Sequence, residues 1–452
     1  MDRYQFVIIG GGPAGEAAAN LARSRGASVA VVERGLVGGE CPFFACMPSK
    51  TLLHAAGIHA LGGAYPWGQA SARRDWMINR EGDRRAPDDS SHVRGLERAG
   101  TAVIRGEGRL DGPGRVAIRT ADGDDVLGAE HVVLAVGSEP SMPRIDGLEA
   151  SNAWTTRQAT TTRDLPRSLL VLGGGPSGVE LAQVFARYGV PVSLVHPRDR
   201  LNNRDHPRNS AAVEAALRKD GVDVRTSARA TRIVAGGGAD GGHRIELEGG
   251  DTLDAHEVLV ATGRRTPLGG LGLETVGLDP SLGVHPDERL RIADEVYIAG
   301  DAAGGELFTH VAHYEGEMAV RIALGDDVRP DLRAIPRTTY TEPETAGAGM
   351  QVDEARAAGT DAFEVSIDFA QTAKGEILDS PGHVTVVVDR GSQRLAGAFI
   401  AAPGAAESIH EAVLAIRADV PLHVLADTIH AFPTLARVLG TAFVEAQRGQ
   451  GR

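Results

Sequence analysis

Apolar and polar positions along the chain fall into two recurring arrangements. The first opens the sequence, where the apolar run Phe6-Val7-Ile8-Ile9 leads into three glycines, an Ala-rich stretch from Glu16 to Arg23 and a second apolar run from Ser28 to Val32. A short apolar run bounded by glycine reads as a buried strand and the Ala-rich stretch as a helix, which predicts strand, tight turn, helix, strand. The order returns at Leu169-Leu170-Val171-Leu172, followed by glycines, a helix from Val179 to about Tyr188 and a strand from Pro191 to Val195. The second arrangement lies near the C-terminus, where apolar residues alternate at Val384, Val386 and Val388 and again at Leu395, Gly397 and Phe399. Such alternation predicts an antiparallel sheet, with helical patterns following from Glu407 to Arg417 and from Pro433 to Gln447. No apolar run approaches the roughly 18 residues of a membrane span.

Composition narrows the class. At 452 residues the chain is about three times the commonest domain size, so several domains are expected. A net charge of −13, with no long basic block, lacks the electrostatic footprint of nucleic-acid or anionic-membrane binding. The start, Met1-Asp2-Arg3 before four apolar residues, is too short for a signal sequence, and a cytoplasmic protein is expected.

The glycines carry the first chemistry. In Gly10-Gly11-Gly12-Pro13-Ala14-Gly15, Gly10 and Gly12 permit a tight turn and close approach to a pyrophosphate. Gly15 lets helix and strand meet, and the helix N-terminus supplies backbone donors. Glu33, ending the second strand, stands where a carboxylate accepts ribose hydroxyls. The second unit repeats the turn as Gly173-Gly174-Gly175-Pro176-Ser177-Gly178, but its strand ends in His196-Pro197-Arg198-Asp199-Arg200. Basic residues in place of an acid suit a 2′-phosphate, the alternative being a solvated arginine-rich loop.

Only two cysteines occur, Cys41 and Cys46, both in Gly38-Gly39-Glu40-Cys41-Pro42-Phe43-Phe44-Ala45-Cys46-Met47-Pro48-Ser49-Lys50. In a regular helix their offset would separate the Cα atoms by about 8–9 Å, beyond the roughly 4.4–6.8 Å of a disulfide, so bridging demands a distorted first turn. Pro42 and Pro48 favour irregular or helix-starting backbone. Lys50 follows Cys46 by one helical turn. Two buried structural thiols are the alternative reading.

This segment resembles the redox motif of the flavoprotein disulfide reductases, the family of lipoamide dehydrogenase, glutathione reductase and mercuric reductase. The resemblance continues through Ala135-Val136-Gly137-Ser138-Glu139-Pro140, the second glycine unit with Glu180, and Ala261-Thr262-Gly263-Arg264-Arg265-Thr266-Pro267. Ile298-Ala299-Gly300-Asp301 and Thr341-Glu342-Pro343-Glu344-Thr345-Ala346 complete it, so nearly the whole chain is covered. It implies an α/β fold of two Rossmann-like domains, one inserted in the other, plus a C-terminal α+β dimerisation domain. The implied boundaries are 1–150 and 262–330 for FAD, 151–261 for NAD(P)H and 331–452 for the homodimer interface.

Residue by residue, the resemblance implies FAD on Gly10, Gly12, Pro13, Ala14 and Gly15, its ribose on Glu33 beside Arg34. Gly39, Glu40, Gly108, Ala135, Gly137, Ser138, Gly263, Arg264, Asp301, Thr309 and His310 would complete the cofactor sites, a hydrogen-bonded structural role being the alternative for His310. Nicotinamide nucleotide, NADPH rather than NADH, would lie on Gly173, Gly175, Pro176, Ser177 and Gly178 with His196, Arg198 and Arg200. Lys50, paired with Glu180, would stand near the flavin, with Cys46 as the flavin-side thiol and Cys41 as the one attacking a disulfide or dithiol partner. No metal site is expected.

Two departures stand out. Disulfide-reducing relatives end with a histidine-glutamate dyad in a stretch like HxHPTxSE; here Thr428-Ile429-His430-Ala431-Phe432-Pro433-Thr434-Leu435-Ala436-Arg437 puts Phe432 at the base and Arg437 at the acid. Arg437 becomes the candidate that favours thiolate across the dimer. Mercuric reductases carry a C-terminal cysteine pair instead, and Gln447 to Arg452 hold none. The second departure is the polar stretch between Leu61 and Val93, with Trp67, Trp76, Arg73, Arg74, Arg80, Arg84, Arg85 and Asp88-Asp89, which reads as a solvated surface loop, the alternative being a segment folded over the cysteine face that shapes the substrate site. The expected activity is an FAD-dependent NAD(P)H:disulfide oxidoreductase without the histidine base. A flavin-dependent dithiol oxidase, a thiol-independent NAD(P)H oxidase or quinone reductase, and a redox-sensing flavoprotein are the competing readings.

Overall fold

A computed structural model describes residues 1–79, 86–238 and 241–449. The chain divides into two compact units, Met1–Pro48 with Ala72–Ser141 and Arg264–Pro330, and Ser49–Ser71 with Met142–Gly263 and Asp331–Arg452.

In the first unit the opening pattern forms β1 (Arg3–Ile9), α1 (Pro13–Ser24) and β2 (Val29–Glu33). Strand β1 is central and parallel to β2 on one side and to Gly123–Leu134 on the other, Ile9 lying opposite both Val32 and Leu134. The sheet runs Arg291–Ala293, Val296–Ile298, Gly123–Leu134, β1, β2 and β3 (Ala102–Arg105). Phe6, Val7 and Ile8 are fully buried, as expected for a strand covered on both faces. After β2 come the single-turn helix α2 (Glu40–Phe43) and α3 (Cys46–Ala60), and α5 (Ser90–Arg98) precedes β3.

The stretch read as a surface loop contains a helix, α4 (Trp67–Asn79). Arg74 is fully buried against Asp75 at 2.8 Å, an ion pair that takes both charges out of water together. Trp67 is 9% exposed and donates its indole N–H to the Arg163 carbonyl at 2.8 Å. Trp76, under the Arg73 guanidinium, keeps the exposure the sequence suggested. Arg80, Arg84 and Arg85 lie outside the described residues, as do residues 450–452.

In the second unit a parallel sheet carries Asp223–Arg225, Val192–Val195, Leu169–Leu172 and Glu257–Val260 in that order. An antiparallel five-stranded sheet carries Arg337–Thr339, Thr345–Gly349, Arg394–Ala401, His383–Asp389 and Ala362–Asp368. Alternation there marks two buried faces rather than one, because Thr385 and Val387 are as inaccessible as Val384, Val386 and Val388. Val384, Val386 and Val388 meet the helices Ala405–Arg417 and Leu435–Arg448, while Phe399, on the other face, stacks on His206 at 4.9 Å. No helix among the described residues is long and apolar enough to cross a membrane.

Candidate functional site

The first glycine turn has the backbone its sequence requires. Gly10 takes φ +106°, and an added Cβ would overlap the Ala135 carbonyl oxygen; one on Gly15 would overlap the Gly10 carbonyl oxygen. Helix α1 starts at Pro13 with Gly12 as its N-cap and no side-chain cap, so its first N–H groups face outward from a cradle of small residues. Gly39, at φ +69°, closes that cradle, since its Cβ would come within 3.0 Å of the Gly12 Cα. The cradle suits a pyrophosphate. Glu33 accepts the Gly11 N–H at 2.7 Å through Oε2, which sets its carboxylate beside the turn, while Arg34 is exposed next to Glu107. Gly108 faces Val32, where a Cβ would press to 3.1 Å.

A polar relay joins further predicted residues. Arg264 donates from Nε to the Ser138 hydroxyl at 2.6 Å, and Ser138 donates to Asp301 at 2.5 Å. Arg264 also meets Glu40 at 3.0 Å, tying the residue before Cys41 into the same group. Gly137, at φ +69°, turns the chain out of the strand that Ala135 follows. Beside the relay, Glu315 is 3% exposed and accepts the Gly300 N–H at 2.8 Å. Burial pushes its carboxyl up to about 7, and Asp301 adds to the effect. Raised above its unfolded value, this group favours the fold fully at pH 4 and loses that contribution as pH rises through about 7. Glu315→Gln keeps the acceptor and removes the charge. It should raise unfolding free energy at pH 8 by up to about 3 kcal/mol and leave pH 4 unaffected. Denaturant titration at the two pH values checks this, and an equal effect at both excludes it.

The cysteines occupy separate helices. Cys41 lies in α2 and Cys46 opens α3, with Phe44 and Ala45 breaking the helix between them, the irregularity that a bridge between the two thiols would require. Cys46 Sγ is 3.3 Å from the hydroxyl of Thr309, the first residue of the fifteen-residue helix Thr309–Ala323. Either atom can donate in that contact, and the helix N-terminus beside the sulfur is the feature that favours thiolate there. His310 is exposed and stacks on Phe308 at 5.2 Å.

The second glycine turn copies the first. Gly173 is at φ +113°, where a Cβ would overlap the Ala261 carbonyl oxygen, and the helix Pro176–Arg187 begins behind the uncapped Gly175. Ser177 is exposed on its first turn, and Gly263 turns at φ +119° with open space around it. His196 accepts the Gly174 N–H through Nδ1 at 3.1 Å, the part that Glu33 plays for Gly11. Burial pushes the His196 pKa down, so this substitute for the acid is neutral. Arg200 donates to the carbonyls of Asn203 and Asp205 and so braces its own loop, leaving exposed Arg198 as the outward-facing cation.

Lys50 and Glu180 meet as expected, Nζ to Oε2 at 2.7 Å, with Glu180 only 3% exposed. At the C-terminal stretch Phe432 is 74% exposed and Arg437 is exposed, making no ion pair among the described residues. His430 is engaged at both nitrogens, Nδ1 on the Thr428 carbonyl at 2.9 Å and Nε2 on Glu411 at 2.8 Å. Neither nitrogen is left for a thiol.

The family model described as "Pyridine nucleotide-disulphide oxidoreductase" matches residues 4–316, and that of its dimerisation domain matches residues 335–443. The chain belongs to this family. The oxidoreductase is 33% identical to a mercuric reductase of Streptomyces lividans, covering 97% of this chain and 95% of the relative. It is 33% identical to a dihydrolipoyl dehydrogenase of Thermus scotoductus, covering 97% and 96%. Among solved structures it resembles a copper(II) complex of a variant of the HOCl-induced flavoprotein disulfide reductase RclA from Escherichia coli, with TM-score 0.88, 25% identity and coverage of 98% and 99%. LpdA from Mycobacterium tuberculosis gives TM-score 0.87, 26% identity and coverage of 99% and 100%. The oxidoreductase is therefore an FAD- and pyridine nucleotide-dependent enzyme, and its dimerisation domain supports a homodimer.

Sequence reasoning missed the clasp along the helix Pro176–Arg187. Glu180 accepts the Tyr340 N–H at 3.0 Å, Gln183 exchanges two hydrogen bonds with the Glu342 backbone, and Arg187 holds the Glu342 carboxylate at 2.5 Å. The spacing of these three on one helical face was the available signal.

Proposed function

We propose that the oxidoreductase reduces small disulfides with NADPH, without a histidine base. The observation that carries this reading is the Cys46–Thr309 contact at a helix N-terminus, in a chain with no second pair of cysteines. FAD, held by the first glycine turn, Glu33 and Asp301, would supply two-electron transfer between nucleotide and thiols. Cys41 thiolate attacks the substrate disulfide, releasing one thiolate and leaving a mixed disulfide. Cys46 then attacks Cys41, which releases the second thiol and closes the Cys41–Cys46 bond. The net reaction consumes NADPH and one proton per disulfide and yields two thiols. Phe432, facing Cys41 across the dimer, offers no proton, so Arg437 favours the thiolate electrostatically and selects acidic disulfides. The test is steady-state turnover with a panel of disulfides, dithiols, quinones and oxygen. Thiol-dependent turnover restricted to disulfides supports the reading, and equal NADPH oxidation by a Cys41→Ser variant defeats it.

NADPH is preferred because neutral His196 removes the acid that would repel a 2′-phosphate and Arg198 faces outward. Arg198→Ala should raise the KM for NADPH by about ten- to a hundredfold, the worth of a charge-assisted contact, with NADH unaffected. An unchanged ratio of kcat/KM for the two nucleotides rejects the assignment.

A further inference from the structure

Lys50 is one of three lysines in a chain carrying 47 lysines and arginines, the others being Lys219 and Lys374. Arginine serves almost everywhere else, so a compact ammonium at this position answers a local demand. Its Nζ touches Glu180 at 2.7 Å on one side and lies 4.8 Å from the centre of the Tyr340 ring on another. The ring is not placed by chance. The Tyr340 backbone N–H is bound by Oε1 of Glu180, whose Oε2 holds Lys50, and the next turns of the same helix grip Glu342 through Gln183 and Arg187. One buried carboxylate thus fixes both the cation and the backbone that carries the ring over it.

We propose that Tyr340 is a positioning residue that keeps the Lys50 ammonium charged and aimed, its π face supplying attraction in addition to that of the Glu180 carboxylate. The proposal rests on the reading of Lys50 as the flavin-side cation. The phenol oxygen plays no part in it, so phenylalanine suffices at this position while an aliphatic side chain fails. The Glu180 contact to the backbone of residue 340 survives either change, which separates loss of the ring from loss of the fold.

The experiment is competitive amine acetylation of the FAD-bound protein between pH 7 and 10, read by mass spectrometry with Lys219 and Lys374 as internal references. Tyr340→Leu should make Lys50 react about two- to fivefold faster at pH 8 relative to both references, as expected when a cation–π contact is removed. Tyr340→Phe should match the wild type. Unchanged Lys50 labelling in Tyr340→Leu, or equal acceleration in Tyr340→Phe, overturns the proposal. A separate arm records the bound flavin's spectrum and potential in Lys50→Met. If these are unchanged, the flavin-side reading of Lys50 fails, whereas the labelling pattern alone decides the role of Tyr340.

Discussion

Serine at Cys41 is expected to lower disulfide turnover by at least about three orders of magnitude, because no other thiol in the chain can take over nucleophilic attack once Cys46 has its separate part. Reduction of the bound flavin by NADPH in a single turnover should continue, since it precedes thiol exchange. Serine at Cys46 should be equally inactive for a different reason. The sulfur beside Thr309 is the one favoured as thiolate, so its loss should abolish the long-wavelength absorption that the two-electron-reduced wild type develops. Titration of both variants under anaerobic conditions separates the two roles. A Cys46→Ser variant that keeps the band, or a Cys41→Ser variant that loses it while Cys46→Ser does not, would falsify the assignment of interchange and flavin-side thiols.

The parts of the site legible in the sequence are those whose geometry is local. Gly10 and Gly173 must adopt positive φ against a neighbouring carbonyl, so no other residue fits, and the strand and helix on either side follow within a few residues. The break between Cys41 and Cys46 was also local, expected from Pro42 and from the short span that any bridge between the two thiols would allow. Helix α4 was hidden because Arg73, Arg74 and Asp75 give its sequence a solvated look, whereas Arg74 and Asp75 neutralise each other inside. His196 shows a subtler limit. Its place after the strand was visible, but its work there is to accept the Gly174 N–H as a neutral ring, which depends on burial rather than on charge. Arg200 likewise carries a role that its sequence position does not announce, bracing carbonyls of its own loop. The clasp from Gln183 and Arg187 to Glu342 joins positions more than 150 apart, so the helical spacing of Glu180, Gln183 and Arg187 marks a shared face without naming the segment it grips.

Installing the absent dyad, Phe432→His with Arg437→Glu, should accelerate reduction of a simple alkyl disulfide by at least tenfold, toward the ~10²–10⁴ that a positioned acid–base contributes. An aromatic disulfide should gain less than about threefold, because its thiolate leaves unprotonated and asks for no acid. The contrast follows from what the C-terminal stretch now offers. His430 has spent both nitrogens on Thr428 and Glu411, Phe432 is exposed and apolar, and Arg437 can attract a thiolate yet cannot carry its proton. The Arg437 N–H is held by the Thr434 hydroxyl through the backbone, so the double variant keeps the helix start. In the wild type the pH dependence of kcat/KM should follow the interchange thiol alone, and the double variant should acquire an added ionisation in the histidine range near 6.5. Arg437→Ala should move the wild-type profile toward higher pH and slow acidic disulfides more than neutral ones. If Arg437→Ala leaves the thiol ionisation and both rates where they were, the arginine has no part in the exchange; if the double variant gains nothing on the alkyl substrate, proton transfer does not limit the reaction and the loss of the histidine cost this enzyme nothing.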